Sequence, residues 1–367
     1  MDGEIVFLFI SDVANRLESS RVKGIFKDAE DFFSYEHDKA VPEEIASFNI
    51  PAIFNLKETE VNYNQAAIKV KPQVAIYDVG AVSVRLRIPL LNVDPSFLSA
   101  ITFDTAINDA LKSLAVSVRN KVEKAISKFA HVSHKNMEEN YRIYYLEGDA
   151  STLYKSNKKL IAGILLGDKN YQSLSDSYLQ STIHRNLSYY KTDITIVDWD
   201  GTFMISKSRN YEHELLTIEV ANVQLLELRV YHDEINRMVK EINKRFSSFT
   251  RRSNIFRIFG AKRQLIKLGF DIGSFYDETG DMLNSINNIV FGFGEWYIAR
   301  LYSMLSDSFR LKDWYSSLKE DMYVLERIRG FVRDMINEET SSTLEIIIIA
   351  LIVLELVIEV LTLLRIR

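Results

Sequence analysis

The chain contains no cysteine, which excludes disulfides, thiolate zinc sites and cysteine nucleophiles. Proline is scarce. Its five occurrences (Pro42, Pro51, Pro72, Pro89 and Pro95) all lie near the beginning, and none follows Pro95. Because proline breaks helix interiors, the sequence divides into a turn-rich start and a helix-permissive remainder. A secretory leader is also missing. Acidic residues surround Met1, and the apolar run Ile5 to Ile10 is too short for a signal core. That run reads as a strand, and the large N-terminal part is expected to stay facing the cytoplasm, where it is made. No Gly-x-Ser-x-Gly elbow occurs. The stretch Gly163 to Lys169 has the wrong glycine spacing for a phosphate-binding loop and lacks Ser or Thr after the lysine.

What is present describes a folded protein. Hydrophobic residues make up 47% of the chain and charged residues 26%, ordinary values for globular proteins. A length of 367 residues leaves room for two domains. In the first part, Val82, Val84, Leu86 and Ile88 alternate with Ser83, Arg85 and Arg87, the period of a strand buried on one face. Phe103, Ile107, Leu111, Leu114, Val118, Val122, Ala125 and Phe129 step by three and four and predict an amphipathic helix. Tyr141–Leu146, Thr192–Asp198 and Thr202–Ser206 read as strands, the last two joined by a turn at Asp200-Gly201. Strands and helices alternate without regular βαβ spacing, so an α+β domain with a mixed or antiparallel sheet is expected over residues 1–208.

From Tyr211 onward the pattern is helical only, and a helical domain is expected over residues 209–340. Leu216, Val220, Val223, Leu226 and Val230 form one stripe. Leu311, Leu318, Leu325 and Val332 recur every seven residues, with Asp321 interrupting the companion series Trp314, Ile328 and Met335. Such a heptad suits either packing within one chain or a coiled-coil seam of a homo-oligomer.

Residues 344–364 are strongly apolar and, as a helix, are long enough to cross a bilayer. They predict a single C-terminal transmembrane anchor, with the lipid bilayer as a partner. Glu355 and Glu359 would share one face of it. They fit an oligomer contact or an ion-coupled group, or simply a shallow or tilted helix.

One segment stands out by charge. Lys244, Arg245, Arg251, Arg252, Arg257, Lys262, Arg263 and Lys267 fall together without an acidic residue between them, in a chain of net charge −5. Phe246, Phe249, Phe256 and Phe259 are interleaved. A basic segment in an acidic chain is an electrostatic footprint for a polyanion, either RNA or an anionic lipid surface. The plainer reading is a solvated turn between helices.

The residues that resemble catalytic groups are few. Asp198-Trp199-Asp200-Gly201-Thr202 follows an apolar strand, as in the first motif of haloacid-dehalogenase-type phosphatases. There Asp198 would be the nucleophile and Asp200 the general acid, with Mg²⁺ between them. That fold needs further βα units, and after Ser206 only helices are expected. His131 and His134, with Glu138 and Glu139, lack metal-site spacing. No cofactor is expected.

The tail order of Trp296-Tyr297, Leu301-Tyr302, the heptad helix, Asn337-Glu338, Leu344-Glu345 and the glutamates Glu355 and Glu359 resembles an uncharacterised membrane-protein family. That family includes the required-for-meiotic-nuclear-division proteins and their sporulation-related relatives. Tyr77–Leu90, Ala106–Lys128 and Glu219–Glu227 are compatible with it. The resemblance implies a non-enzymatic, membrane-anchored, oligomeric tether. Its mitochondrial members hold ribosomes near the inner membrane. The absence of an Arg-rich presequence points to a prokaryotic member.

Overall fold

Among the described residues, ten strands form one mixed sheet: β1 (Asp2–Asp12), β2 (Asp31–Phe33), β3 (Ala52–Asn55), β4 (Thr59–Tyr63), β5 (Ala66–Ile76), β6 (Ala81–Leu90), β7 (Glu138–Glu147), β8 (Asn186–Leu187), β9 (Ile194–Val197) and β10 (Gly201–Ser206). The computed structural model describes residues 1–14, 17, 31–33, 51–63, 66–128, 130, 137–208, 210–250, 258–289 and 296–337. The strand order is β2-β3-β5-β6-β1-β7-β10-β9-β8, with β4 also pairing β5. Every pairing is antiparallel except β7 with β10. The predicted strand Ile5–Ile10 is the centre of β1, with Phe7 opposite Leu86 on one side and Arg142 on the other.

The turn from β5 to β6 depends on one glycine. Gly80 has φ of +100°, and a Cβ there would lie 1.4 Å from the carbonyl oxygen of Ala14. Only glycine accepts both the left-handed backbone and that approach.

Helices α1 (Pro95–Phe103), α2 (Thr105–Ile126) and α3 (Ala150–Leu166) cover one face of the sheet. The single helix expected from Phe103 to Phe129 is two helices. Asp104 separates them, its carboxylate accepting the N–H groups of Ala106 at 2.8 Å and Ile107 at 3.2 Å, as an N-cap does. Ile107, Leu111, Ala115, Val118, Val122 and Ile126 of α2 are buried against Val84, Leu86 and their neighbours. The short α4 (Asp176–Ile183) follows α3.

The opposite face is also buried, which corrects the reading of β6 as half-exposed. Ser83 and Arg85 are as inaccessible as Val82 and Val84, because α5 (Glu212–Thr250) begins over them. All residues from Ile218 to Leu228 are buried. Glu219 receives Arg85 Nε at 2.8 Å and the Tyr77 hydroxyl at 2.5 Å, and Arg85 Nη2 completes a bidentate pair. Nearby, Arg87 bridges Glu4 (2.8 Å) and Glu212 (2.7 Å).

The chain forms two compact units: Met1–Val230 with Met282–Tyr315, and Tyr231–Asp281 with Ser316–Arg367. The first holds the sheet and α7 (Trp296–Ser308). Its helical parts belong with the sheet because α5 buries both apolar and polar residues there. The second contains the end of α5, most of α6 (Ile258–Ile289) and most of α8 (311–337). Within it, the Tyr231 and Phe275 rings stack at 6.1 Å, and Arg329 lies 4.8 Å from the centroid of Tyr276. The heptad residues Leu318, Leu325 and Val332 are buried within the chain itself. Asp321, the interruption, faces His232 Nδ1 at 2.5 Å, so a polar pair occupies that layer.

The expectation of a single-pass anchor is corrected. Among the described residues, no helix is long and apolar enough to cross a membrane. The long helices α5, α6 and α8 alternate charged with apolar residues, the composition of helices packed on one side. The tail anchor and the single-pass placement facing the cytoplasm lose their basis with it. Residues 344–364, including Glu355 and Glu359, lie outside the described residues.

Candidate functional site

Four separate stretches of the first unit bring aromatic side chains to one place. The loop after β8 carries Tyr189 and Tyr190, α7 opens with Trp296 and Tyr297, and Tyr145 of β7 stacks on Tyr211 at 4.4 Å beside the start of α5. Together they line a groove of about 620 Å³. Tyr189 meets Tyr190 edge-on at 4.7 Å and Tyr297 edge-on at 5.9 Å. Tyr189, Tyr190 and Trp296 are 60%, 67% and 70% exposed. Exposed rings that converge, rather than scatter, mark a binding surface.

Local chemistry holds this arrangement. Asp193 accepts the backbone N–H groups of Tyr189 at 2.7 Å and Tyr190 at 2.9 Å, folding the loop so that both rings project. The Tyr297 hydroxyl lies 3.0 Å from Thr195 Oγ1, which fixes α7 against β9. Burial pushes the Tyr297 phenol up to about 12, against the Thr195 hydrogen bond, and the negative charges of Glu214 and Asp193 push the same way. Both carboxylates therefore act on the groove. Its lysine, Lys207, is paired with Asp149 at 2.9 Å. The groove thus offers π faces within a negative field, the combination that attracts organic cations.

The phosphatase-like residues are placed differently. Asp198 and Asp200 flank the tight turn of the β9–β10 hairpin, closed by Asp198 N–H to Gly201 O at 2.9 Å. Asp198 spends one carboxylate oxygen on the Trp199 N–H, and burial raises its pKa. The motif requires the end of a parallel strand, and β9 pairs only antiparallel. Among the described residues, no group of three or more potential ligands is placed to hold a metal. His131 and His134 lie outside the described residues. Glu138 pairs with Arg119, and Glu139 with Arg229.

Of the basic stretch, Lys244 and Lys267 are exposed, near the end of α5 and in α6. Arg245 falls on α5, and Lys262 and Arg263 on α6. Arg251, Arg252 and Arg257 lie outside the described residues.

The aromatic groove escaped the sequence reading because its rings are far apart in the chain. The doublets Tyr189-Tyr190 and Trp296-Tyr297 were its local signal, and an aromatic doublet suits a core equally well.

Uncharacterized protein MJ0711 of Methanocaldococcus jannaschii is 24% identical over 225 residues, covering 60% of this chain and 65% of that protein. The match thus spans somewhat less than two thirds of the relative. No solved structure matches the chain. Residues 2–212, which contain the whole sheet and most of the groove, match the family described as the N-terminal domain of uncharacterized protein MJ0711, and the chain belongs to that family.

Proposed function

We propose that this protein is a non-catalytic scaffold that holds a protein partner by a cationic side chain, an ammonium or guanidinium group seated in the aromatic groove. The observation that carries this is the convergence of Tyr189, Tyr190 and Trp296 around Tyr297, under the field of Glu214 and Asp193. A cation over such faces gains about 0.5–2 kcal/mol per ring, more as water is excluded. Stacked nucleobases would bring phosphates toward the same carboxylates, which favours a cation over a nucleic acid here.

The test uses Trp296 as reporter. With Trp199→Phe and Trp314→Phe removing the other two tryptophans, Nε-trimethyl-lysine and tetramethylammonium should change Trp296 fluorescence saturably. Tyr190→Ala should abolish that response and Glu214→Gln weaken it. A flat titration at millimolar ligand would end this reading.

The basic stretch supports a second grip of opposite sign. Eight cations from Lys244 to Lys267 without an acid between them suit RNA or a ribosomal surface. The tail's resemblance to the required-for-meiotic-nuclear-division proteins, some of which tether ribosomes, points the same way. A homo-oligomer would multiply both grips, and sedimentation velocity reads that directly. RNA binding measured against salt, with the eight residues changed to glutamine, tests the segment. Unchanged affinity and slope would remove it from the mechanism. The phosphatase alternative has no comparable support, since Asp198 and Asp200 bound a hairpin turn.

A further inference from the structure

A second cleft, of about 490 Å³, lies on the other face of the sheet, between α2, α3 and the strands β1 and β7. Its floor carries Arg142. In β7 this residue stands opposite Phe7 of β1 and Gly201 of β10. The guanidinium lies 5.8 Å from the centroid of the Phe7 ring. On its other flank Gly201 presents no side chain, so nothing from β10 covers it.

The arginines of β6, two strands away, are spent on carboxylates: Arg85 on Glu219, and Arg87 on Glu4 and Glu212. Arg142 makes no ion pair among the described residues. Its side chain instead hydrogen-bonds the buried phenol of Tyr144 and acts on it by charge. Burial raises the pKa of that phenol, and Arg142 pulls it back down. One phenol oxygen fills only part of the five-donor guanidinium fork, and the rest can take the oxygens of a ligand.

The rim adds charge of both signs. Lys112 on α2 and Lys169, just beyond α3, stand with Asp109 and Asp200 around the opening. Neither lysine is in an ion pair among the described residues. Three cations against two carboxylates leave an excess of one positive charge, which suits one small anionic head and disfavours a polyphosphate. Phe7, Phe103 and Leu165 supply apolar wall. The volume falls within the range of small-molecule sites, about 300–1,000 Å³.

We infer that this cleft binds a small organic molecule with a single oxyanion head, carboxylate or phosphate. The head takes the two-pronged guanidinium of Arg142, and an apolar body lies over Phe7 and Leu165. The planar fork of arginine matches two oxygens of either head group. Every residue named in the cleft falls within the family match, residues 2–212, and none of them lines the aromatic groove.

Calorimetric titration of the full chain with benzoate, phenyl phosphate and inorganic phosphate tests this. Benzoate or phenyl phosphate should bind at one site per chain, and the tighter of the two identifies the head group. Inorganic phosphate, lacking the apolar body, should bind more weakly than phenyl phosphate. Arg142→Met should weaken binding about tenfold or more, and Arg142→Lys by less, since charge is kept but the fork is lost. If Arg142→Met does not fold, the exposed pair Lys112→Gln/Lys169→Gln decides, with a several-fold loss expected. Glu214→Gln, in the other groove, should leave these affinities unchanged. The inference is overturned if neither aromatic anion binds, or if binding survives removal of Arg142 or, where that variant fails, of both lysines.

Discussion

Arg85 and Glu219 meet as a fully buried, bidentate ion pair, one side chain from the sheet and the other from α5, separated by 134 residues of chain. Tyr77 donates a third hydrogen bond to the same carboxylate at 2.5 Å. Breaking such a pair leaves an isolated buried charge, whereas replacing both members leaves none. Glu219→Leu or Arg85→Met alone should therefore cost about 3–5 kcal/mol of stability. The double change Arg85→Met/Glu219→Leu should recover most of that. Urea unfolding of the four proteins measures the cycle, and simple additivity would show that the pair does not act as a unit.

The same cluster sets the pH limits. Burial pushes the Glu219 carboxyl up, but Arg85 and its hydrogen bonds outweigh this and leave its pKa below the ordinary value of 4.5. A carboxylate depressed in the folded state contributes stability above its unfolded pKa, and that stability is lost as pH falls through the folded value. At the alkaline end, burial and then Glu219 raise the Tyr77 phenol well above 10.0, and burial raises Tyr141, Tyr144 and Tyr211 as well. These phenols are neutral in the fold but ionise readily once unfolded. Stability should be intact below pH 10.0 and fall steeply above it. The part of the phenolate absorbance that comes from the buried rings should appear together with the loss of far-UV circular dichroism in an alkaline titration. Complete phenolate absorbance while the fold persists would contradict this.

Gly80→Ala places a methyl carbon against the Ala14 carbonyl and forces a left-handed backbone on alanine. The left-handed conformation alone costs about 1–2 kcal/mol, and the contact requires the chain at Ala14 to move. Thermal unfolding should show a clear loss, larger than that of Gly167→Ala. Gly167 shares the positive φ, but a Cβ there meets nothing within 4 Å.

Asp104→Ala removes the acceptor for the first N–H groups of α2. A loss of about 1 kcal/mol is expected, and Asp104→Asn or Asp104→Ser should restore much of it. Equal stability for alanine and serine would mean the cap contributes nothing.

Much of the sheet was legible in the sequence because its strands carry their pattern locally. Alternation marked β6, and the Asp-Gly turn marked the β9–β10 hairpin. The partnership of Arg85 was not legible. A charged residue in an alternating strand reads as solvent-facing, and only the arrival of Glu219 from a distant helix makes its burial tolerable. Asp104 was missed for a related reason, since the apolar stripe runs on past it and conceals a cap between two helices. The long-range sites share this limit: Arg142 in its cleft and the six rings of the groove are assembled by pairing and packing, which no short window of residues records.

The charged character of the sheet face beneath α5 has a consequence for synthesis. Ser83, Arg85 and Arg87 are translated well before Glu212 and Glu219, so a chain still emerging from the ribosome can pair its first strands with that side hydrated. Arginines there keep the unfinished sheet from sticking to other nascent chains. The two glutamates then supply the counter-charges that let the same surface become interior.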